Sequence, residues 1–122
     1  MKKIGRKPVQ MALVLGALAV ILGAFGAHGL QATLTVERMQ TWQTAVFYQF
    51  VHVFLVLYLA NREYNQLNRQ AMYFSLAGIL LFSGSLYLLC LTGITALGMI
   101  TPIGGVCFIL AWLLALYETL KA

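Results

Sequence analysis

Four long apolar runs, separated by short polar or glycine-rich stretches, make up most of the chain. A helix needs about 20 mostly apolar residues to cross the hydrocarbon core of a bilayer. Three of the runs reach that length, and the second, residues 45–60, is shorter. The pattern predicts four transmembrane helices, at about residues 9–27, 36–60, 71–91 and 102–120.

The second helix is predicted to begin well before its apolar run. Thr35 can cap a helix that starts at Val36, and the amphipathic stretch "VERMQTWQT" then leads directly into the span. This places an amphipathic extracytoplasmic segment in or near the lipid headgroups, with Trp42 as an interfacial anchor.

Composition supports the membrane class. Of the 122 residues, 61% are hydrophobic and 9% are charged, whereas a soluble domain has about 25% charged residues. We therefore expect one all-α domain over residues 1–122, built as an integral membrane bundle. The net charge of +5 does not indicate a nucleic-acid partner, because the basic residues lie at segment ends and not on one face.

The basic residues also predict the orientation. With the N-terminus inside, only Arg38 lies outside, and both termini are cytoplasmic (N-in/C-in). Cleavage of a signal peptide after Gly26 is the alternative for the first run. That run is longer than a usual signal-peptide core, and three spans follow, so we expect it to be retained.

In the N-in/C-in orientation, the basic residues expected on the cytoplasmic side are Lys2, Lys3, Arg6, Lys7, Arg62, Arg69 and Lys121.

Small residues predict close helix packing, which drives association where lipid surrounds the helices. Gly23 and Gly26 lie in the first helix, and Gly84 lies within "SGS" in the third. Thr101 is a suitable N-cap for the fourth helix, with Pro102 at its first position. Gly104 and Gly105 keep the entrance to that helix compact.

Four motifs in order resemble one family. They are "GAFGAHGL", "WQTAVFYQFVH", "FSGSLYLL" and "GMITPIGGVCFILAW". The chain resembles the domain of unknown function 423 family, the YgdD/YwdK-like small inner-membrane proteins also called UPF0382. The resemblance implies a four-helix protein of the bacterial cytoplasmic membrane, and it implies no known activity.

The second helix carries the candidate polar patch. At 100° per residue Tyr48 and His52 share one stripe, with Gln49 beside them, and these groups can bond neighbouring helices or hold a ligand. His28 is the fourth candidate, predicted to act as a polar tie at the outer end of the first helix, where it can contact the segment carrying Glu37. Glu118 is expected to stay solvated at the cytoplasmic interface.

The residue pattern gives less support to haem ligation, transport, catalysis or metal binding. Two histidines can ligate haem, but His28 and His52 are predicted at different depths. Proton-linked transport of a small solute centred on His52 stays open as the alternative. Ser83 or Ser85 with His52 is the one conceivable nucleophile–base pair, and Cys90 and Cys107 have no metal-site spacing.

The sequence therefore predicts a membrane protein of unknown molecular function, most simply a non-enzymatic binding or accessory component. We expect no cofactor and no metal. The expected partners are membrane lipids and either further copies of the chain or another membrane protein.

Overall fold

A computed structural model describes residues 6–121, with side chains from residue 7. Lys2 and Lys3, which were assigned to the cytoplasm, lie outside the described residues. The described part is helical with no strand, and its four long helices are apolar enough to cross a membrane, as predicted. They are α1 (Arg6–Gly29), α2 (Val36–Ala60), α3 (Gln66–Thr92) and α4 (Thr101–Lys121).

Side-chain caps explain where the central helices begin. The Thr35 hydroxyl accepts a hydrogen bond from the Arg38 amide at 3.1 Å, and α2 has the predicted bounds. Asn65 caps α3 by accepting from the Asn68 amide at 2.9 Å. The predicted start of the third helix at residue 71 was therefore too late, because the polar stretch after Asn65 continues the helix beyond the apolar run.

The start of α4 differs from the prediction. A 3₁₀ helix, Thr95–Met99, leads into it, and the Ile100 carbonyl accepts from the Gly104 amide at 3.3 Å. Thr101 is consequently the first helical residue and not the cap, and Pro102 is the second. The Thr101 hydroxyl lies 2.6 Å from the Ser85 hydroxyl, so it joins α4 to α3 instead of capping its own helix.

The four helices run antiparallel in chain order, with α2 and α3 in the centre. α1 packs mainly on α2, and α4 packs mainly on α3. We call the end of the bundle that holds Lys7, Arg62, Arg69 and Lys121 the basic end, and the end formed by connections 30–35 and 93–100 the distal end.

α3 contains a π-helical turn that no pattern in the sequence indicated. Over Ile79–Ser83 the backbone widens, and the Gly84 amide bonds to the Ile79 carbonyl five residues earlier. π-turns inside α-helices are rare and occur frequently at functional sites. Here the turn lies against α2 and α4.

The glycines differ in how much space a Cβ atom would find at their positions. A Cβ on Gly26 would overlap the Trp42 indole, and one on Gly104 would lie 2.7 Å from Phe82 Cα, so both are packing glycines as predicted. Gly23 and Gly105 would make only ordinary contacts. The packing role predicted for Gly84 is wrong, because a Cβ there would meet nothing closer than 4.0 Å. Its place is the end of the π-turn.

Candidate functional site

The His52 side chain is buried in the helical interior, with 2% of its surface exposed. Its Nδ1 lies 2.8 Å from the Tyr48 carbonyl oxygen, and its Nε2 lies 2.9 Å from Trp112 Nε1. An indole N–H can only donate and a carbonyl can only accept. The proton must therefore be on Nδ1, and the ring is neutral with both nitrogens occupied.

Aromatic rings hold the imidazole in place. The Phe108 ring stacks on it with centroids 3.5 Å apart and planes 9° apart. Tyr48 packs against Phe82 with centroids at 4.8 Å and is 38% exposed. Its hydroxyl forms no hydrogen bond with any described residue, so Tyr48 contributes its ring to the patch but not the polar contact predicted for it.

Gln49 connects three helices. Its Nε2 donates to the Leu15 carbonyl of α1 at 2.7 Å, and its Oε1 accepts from the Tyr87 hydroxyl of α3 at 2.6 Å. The Leu15 carbonyl can only accept, which fixes the amide orientation. Gln49 is 2% exposed and has a partner on each side, as expected for a buried amide.

Further hydrogen bonds end on backbone carbonyls and also converge on α2. The Ser83 hydroxyl donates to the Ala45 carbonyl at 2.7 Å. The Trp42 indole donates to the Leu22 carbonyl at 2.8 Å and is 1% exposed. The prediction that Trp42 is an interfacial anchor was therefore wrong: it is an interior contact between α2 and α1.

At the basic end, Glu118 is paired and not solvated, which corrects the prediction. Its Oε1 accepts from Arg62 Nε at 2.6 Å, and its Oε2 accepts from Asn65 Nδ2 at 3.4 Å. The carboxylate side chain is 9% exposed and the Arg62 side chain 29%. The hydrogen bond to Glu118 raises the pKa of Arg62 above its ordinary value, so the guanidinium stays charged. The pair ties the α2–α3 connection to the last turns of α4.

At the distal end, His28 is exposed and does not join the patch on α2. It makes no hydrogen bond with a described residue, so the polar tie predicted for it is absent. Arg38, the cation expected outside, lies beside Gly93, which ends α3 in a left-handed conformation with φ 73°. The C-terminal end of a helix carries partial negative charge, which favours a cation there.

The serine–histidine pair considered from the sequence does not form between the described residues. The Ser83 hydroxyl points to a backbone carbonyl and not to His52. Within residues 7–121, no three His, Cys, Asp or Glu side chains lie together in a way that could hold a metal ion. What the arrangement does is bond each of the other helices to α2.

Comparison with known proteins shows what the chain is related to. A family described as "Protein of unknown function (DUF423)" matches residues 22–105. The chain belongs to this family. The matched region includes α2, α3 and the hydrogen-bonded interior up to Gly105.

Relatives of the DUF423 chain cover nearly its whole length. It is 42% identical to the UPF0382 membrane protein YwdK of Bacillus subtilis, over 93% of this chain and 98% of that protein. It is 44% identical to the UPF0382 membrane protein SERP0230 of Staphylococcus epidermidis, with the same coverage. A UPF0382 membrane protein of Haemophilus influenzae is 37% identical over 95% of both chains. No solved structure matches.

The partners of Gln49 and His52 were missing from the sequence-based patch. Tyr87 and Trp112 supply the hydroxyl and the indole N–H. Both are large amphipathic side chains within apolar runs, and such residues usually find a hydrogen-bond partner when buried. The sequence shows these two residue types, but their pairing with α2 depends on how α3 and α4 are rotated about their own axes.

Proposed function

We propose that this chain is a non-enzymatic binding or accessory component of the bacterial cytoplasmic membrane, with both termini in the cytoplasm. The distribution of charge supports the orientation. Lys7, Arg62, Arg69 and Lys121 share the basic end, and positive residues favour the cytoplasmic side. The exception, Arg38, lies at the C-terminal end of α3, where a cation has a local electrostatic reason to be.

The observation that carries the proposal is the pairing of the interior polar side chains. His52, Gln49 and Ser83 each bond another helix or its backbone. A transport site needs groups that can exchange partners with a solute or proton, and an enzyme needs a nucleophile next to a base. These groups are instead committed to holding the bundle together. A rigid interior leaves the lipid-facing surfaces as the place for interaction.

A native mass spectrum of the protein released gently from its own membrane tests the binding role. We expect a stoichiometric non-protein mass or a second protein to remain bound. The discriminating control is proton flux in liposomes. A pH-dependent flux that the substitution His52→Ala abolishes would contradict the proposal and establish the transporter instead.

Orientation is tested separately with single added cysteines. Gln31→Cys lies on the distal connection and Gln66→Cys lies at the start of α3, and both positions are exposed. We expect a membrane-impermeant maleimide to label Gln31→Cys on intact spheroplasts and Gln66→Cys only after permeabilisation. The unmodified chain, with Cys90 and Cys107, gives the background. The reverse labelling pattern would invert the topology.

A further inference from the structure

Among the apolar grooves on the described surface, two lie between helices. One is between α1 and α3, and the other is between α2 and α4. The α1–α3 groove has a volume of about 380 Å³, and the α2–α4 groove has about 440 Å³. Both fall within the range of small-molecule sites, roughly 300–1,000 Å³.

The α1–α3 groove is apolar along its length and polar at the basic end. Its walls are Met11 and Val14 from α1 and Leu76 and Leu80 from α3. Lys7 and Gln10 line it toward the basic end. This pattern fits an amphiphile whose chain lies in the bilayer and whose headgroup lies at the interface.

A second cation lies on the same face of α3. Arg69 precedes Leu76 by seven residues and Leu80 by eleven, so at 100° per residue the three lie within about 40° of one another. Lys7 and Arg69 are exposed, and neither forms a salt bridge with another described residue. Lys7 lines this groove, and Arg69 lies on the adjoining surface of α3, over the Tyr73 ring. Neither charge is compensated by a described carboxylate, so both can attract an anion near the groove.

The α2–α4 groove provides the contrast. It is lined by side chains such as Phe54, Tyr58 and Leu116, and the cation near its basic end is Arg62. That guanidinium is already bound to Glu118 at 2.6 Å. The two grooves thus match in apolar character but differ in available positive charge.

We propose that the α1–α3 groove binds one acyl chain of an anionic phospholipid whose phosphate lies between Lys7 and Arg69. The inference rests on the proposed binding function and names its ligand class. An acyl chain matches the apolar walls, and basic residues at the cytoplasmic surface attract anionic headgroups. A zwitterionic lipid has the same chains but carries its own cation, so this groove should discriminate against it.

The charge part of the proposal is tested with the full-length protein in detergent, freed of native lipid. It is offered equal amounts of phosphatidylglycerol and phosphatidylcholine, and bound lipid is counted by native mass spectrometry. We expect phosphatidylglycerol to be retained preferentially. Lys7→Gln and Arg69→Gln should each lower that preference by about fivefold. The matched control is Lys121→Gln, because Lys121 lies at the same end of the bundle but lines neither groove.

The groove part is tested without changing charge. Leu80→Trp fills the α1–α3 groove, and Leu116→Trp fills the α2–α4 groove; the two leucines are 60% and 53% exposed. Only Leu80→Trp should reduce retained phosphatidylglycerol. Both positions face lipid, so the helices should fold in either variant.

Two outcomes overturn the inference. One is equal loss on Lys7→Gln and Lys121→Gln, which would mean a general effect of positive charge. The other is equal retention of both lipids by the unmodified protein. Neither outcome bears on the wider binding role, which the native spectrum from the cell membrane tests through any bound mass, including a protein.

Discussion

The two outer helices are attached to the centre of the bundle in different ways. α1 is held by long polar side chains of α2 that reach its backbone, Trp42 at the Leu22 carbonyl and Gln49 at the Leu15 carbonyl. In each bond a long side chain of α2 fills the space between the two helix backbones. The α1–α2 contact can therefore adjust, since a side chain can move before the helix has to.

α4 is attached to α3 more closely. The backbone of α3 at Phe82 lies directly over Gly104, with a Cβ there only 2.7 Å from Phe82 Cα. The hydroxyl pair Ser85–Thr101 adds one polar contact. Because both surfaces at this point are main chain, the α3–α4 contact has no flexible group that could yield. The comparison shows that glycines in similar sequence surroundings differ in how much stability a substitution would remove. The difference depends on whether backbone or a side chain lies opposite.

The largest effect is expected at Gly104. Gly104→Ala places a methyl group against the backbone of the π-turn, and α4 must move away from α3. Overpacking typically costs about 1–3 kcal/mol and sometimes more, and we expect the upper end or beyond. The measurement is the melting temperature in detergent. Gly105→Ala is the control, since its Cβ would lie 3.9 Å from the nearest atom; equal losses in the two variants would contradict the comparison.

Gly26→Ala should have the next largest effect. The added methyl overlaps the Trp42 indole, which must move and give up its bond to the Leu22 carbonyl. We expect a loss of about 2 kcal/mol, less than at Gly104 because a side chain can adjust. Gly23→Ala, where the nearest atom is 3.4 Å away, is the matched control. A shift of Trp42 should also change the tryptophan fluorescence, and an unchanged spectrum would argue against the proposed movement.

Smaller effects are expected from the Gln49 bridge. Hydrogen bonds between membrane helices contribute about 0.6 kcal/mol on average and up to about 1.7. Gln49→Leu removes bonds to both α1 and α3, whereas Tyr87→Phe removes only the bond to α3. A double-mutant cycle on unfolding free energy should show that Tyr87→Phe has little further effect once Gln49 is Leu. Strict additivity would show that the two do not act together.

The smallest effect is expected at the basic end. Glu118→Gln removes the ion pair with Arg62 but keeps the volume of the side chain. Because the Arg62 side of the pair is 29% exposed, salt should screen the pair in part. Melting temperatures of the two proteins should differ more at low salt than at high salt. Glu63→Gln, an exposed neighbour, should show no such dependence.

The sequence predicts the four helices well because apolar length is a local property. The cap at Thr35 and the start of α2 also follow from neighbouring residues. Gly26 and Gly104 were correctly identified as packing residues, but nothing local separated them from Gly23 and Gly105. That distinction depends on which atom of another helix lies opposite.

The candidate patch was predicted only in part for the same reason. Gln49 and His52 do bond across the interior, but His28 faces outward because α1 ends with that side exposed. Trp42 and Glu118 were assigned to the interface from their residue types and their positions near the ends of helices. Their burial follows from partners more than 15 residues away in the chain, the Leu22 carbonyl and Arg62.

The π-turn at Ile79–Ser83 has a consequence for the angular phase of α3. A turn closed over five residues in place of four accommodates one extra residue, so the segment after it is offset by about 100° from an uninterrupted helix. Tyr87 and Cys90 meet Gln49 and the Arg38 carbonyl in that offset phase. Deleting a single residue within the turn would remove the extra residue and restore a regular α-helix, so both side chains would keep their direction toward α2. The π-turn is therefore the place where α3 should tolerate the loss of one residue with both its hydropathy and its contacts to α2 retained.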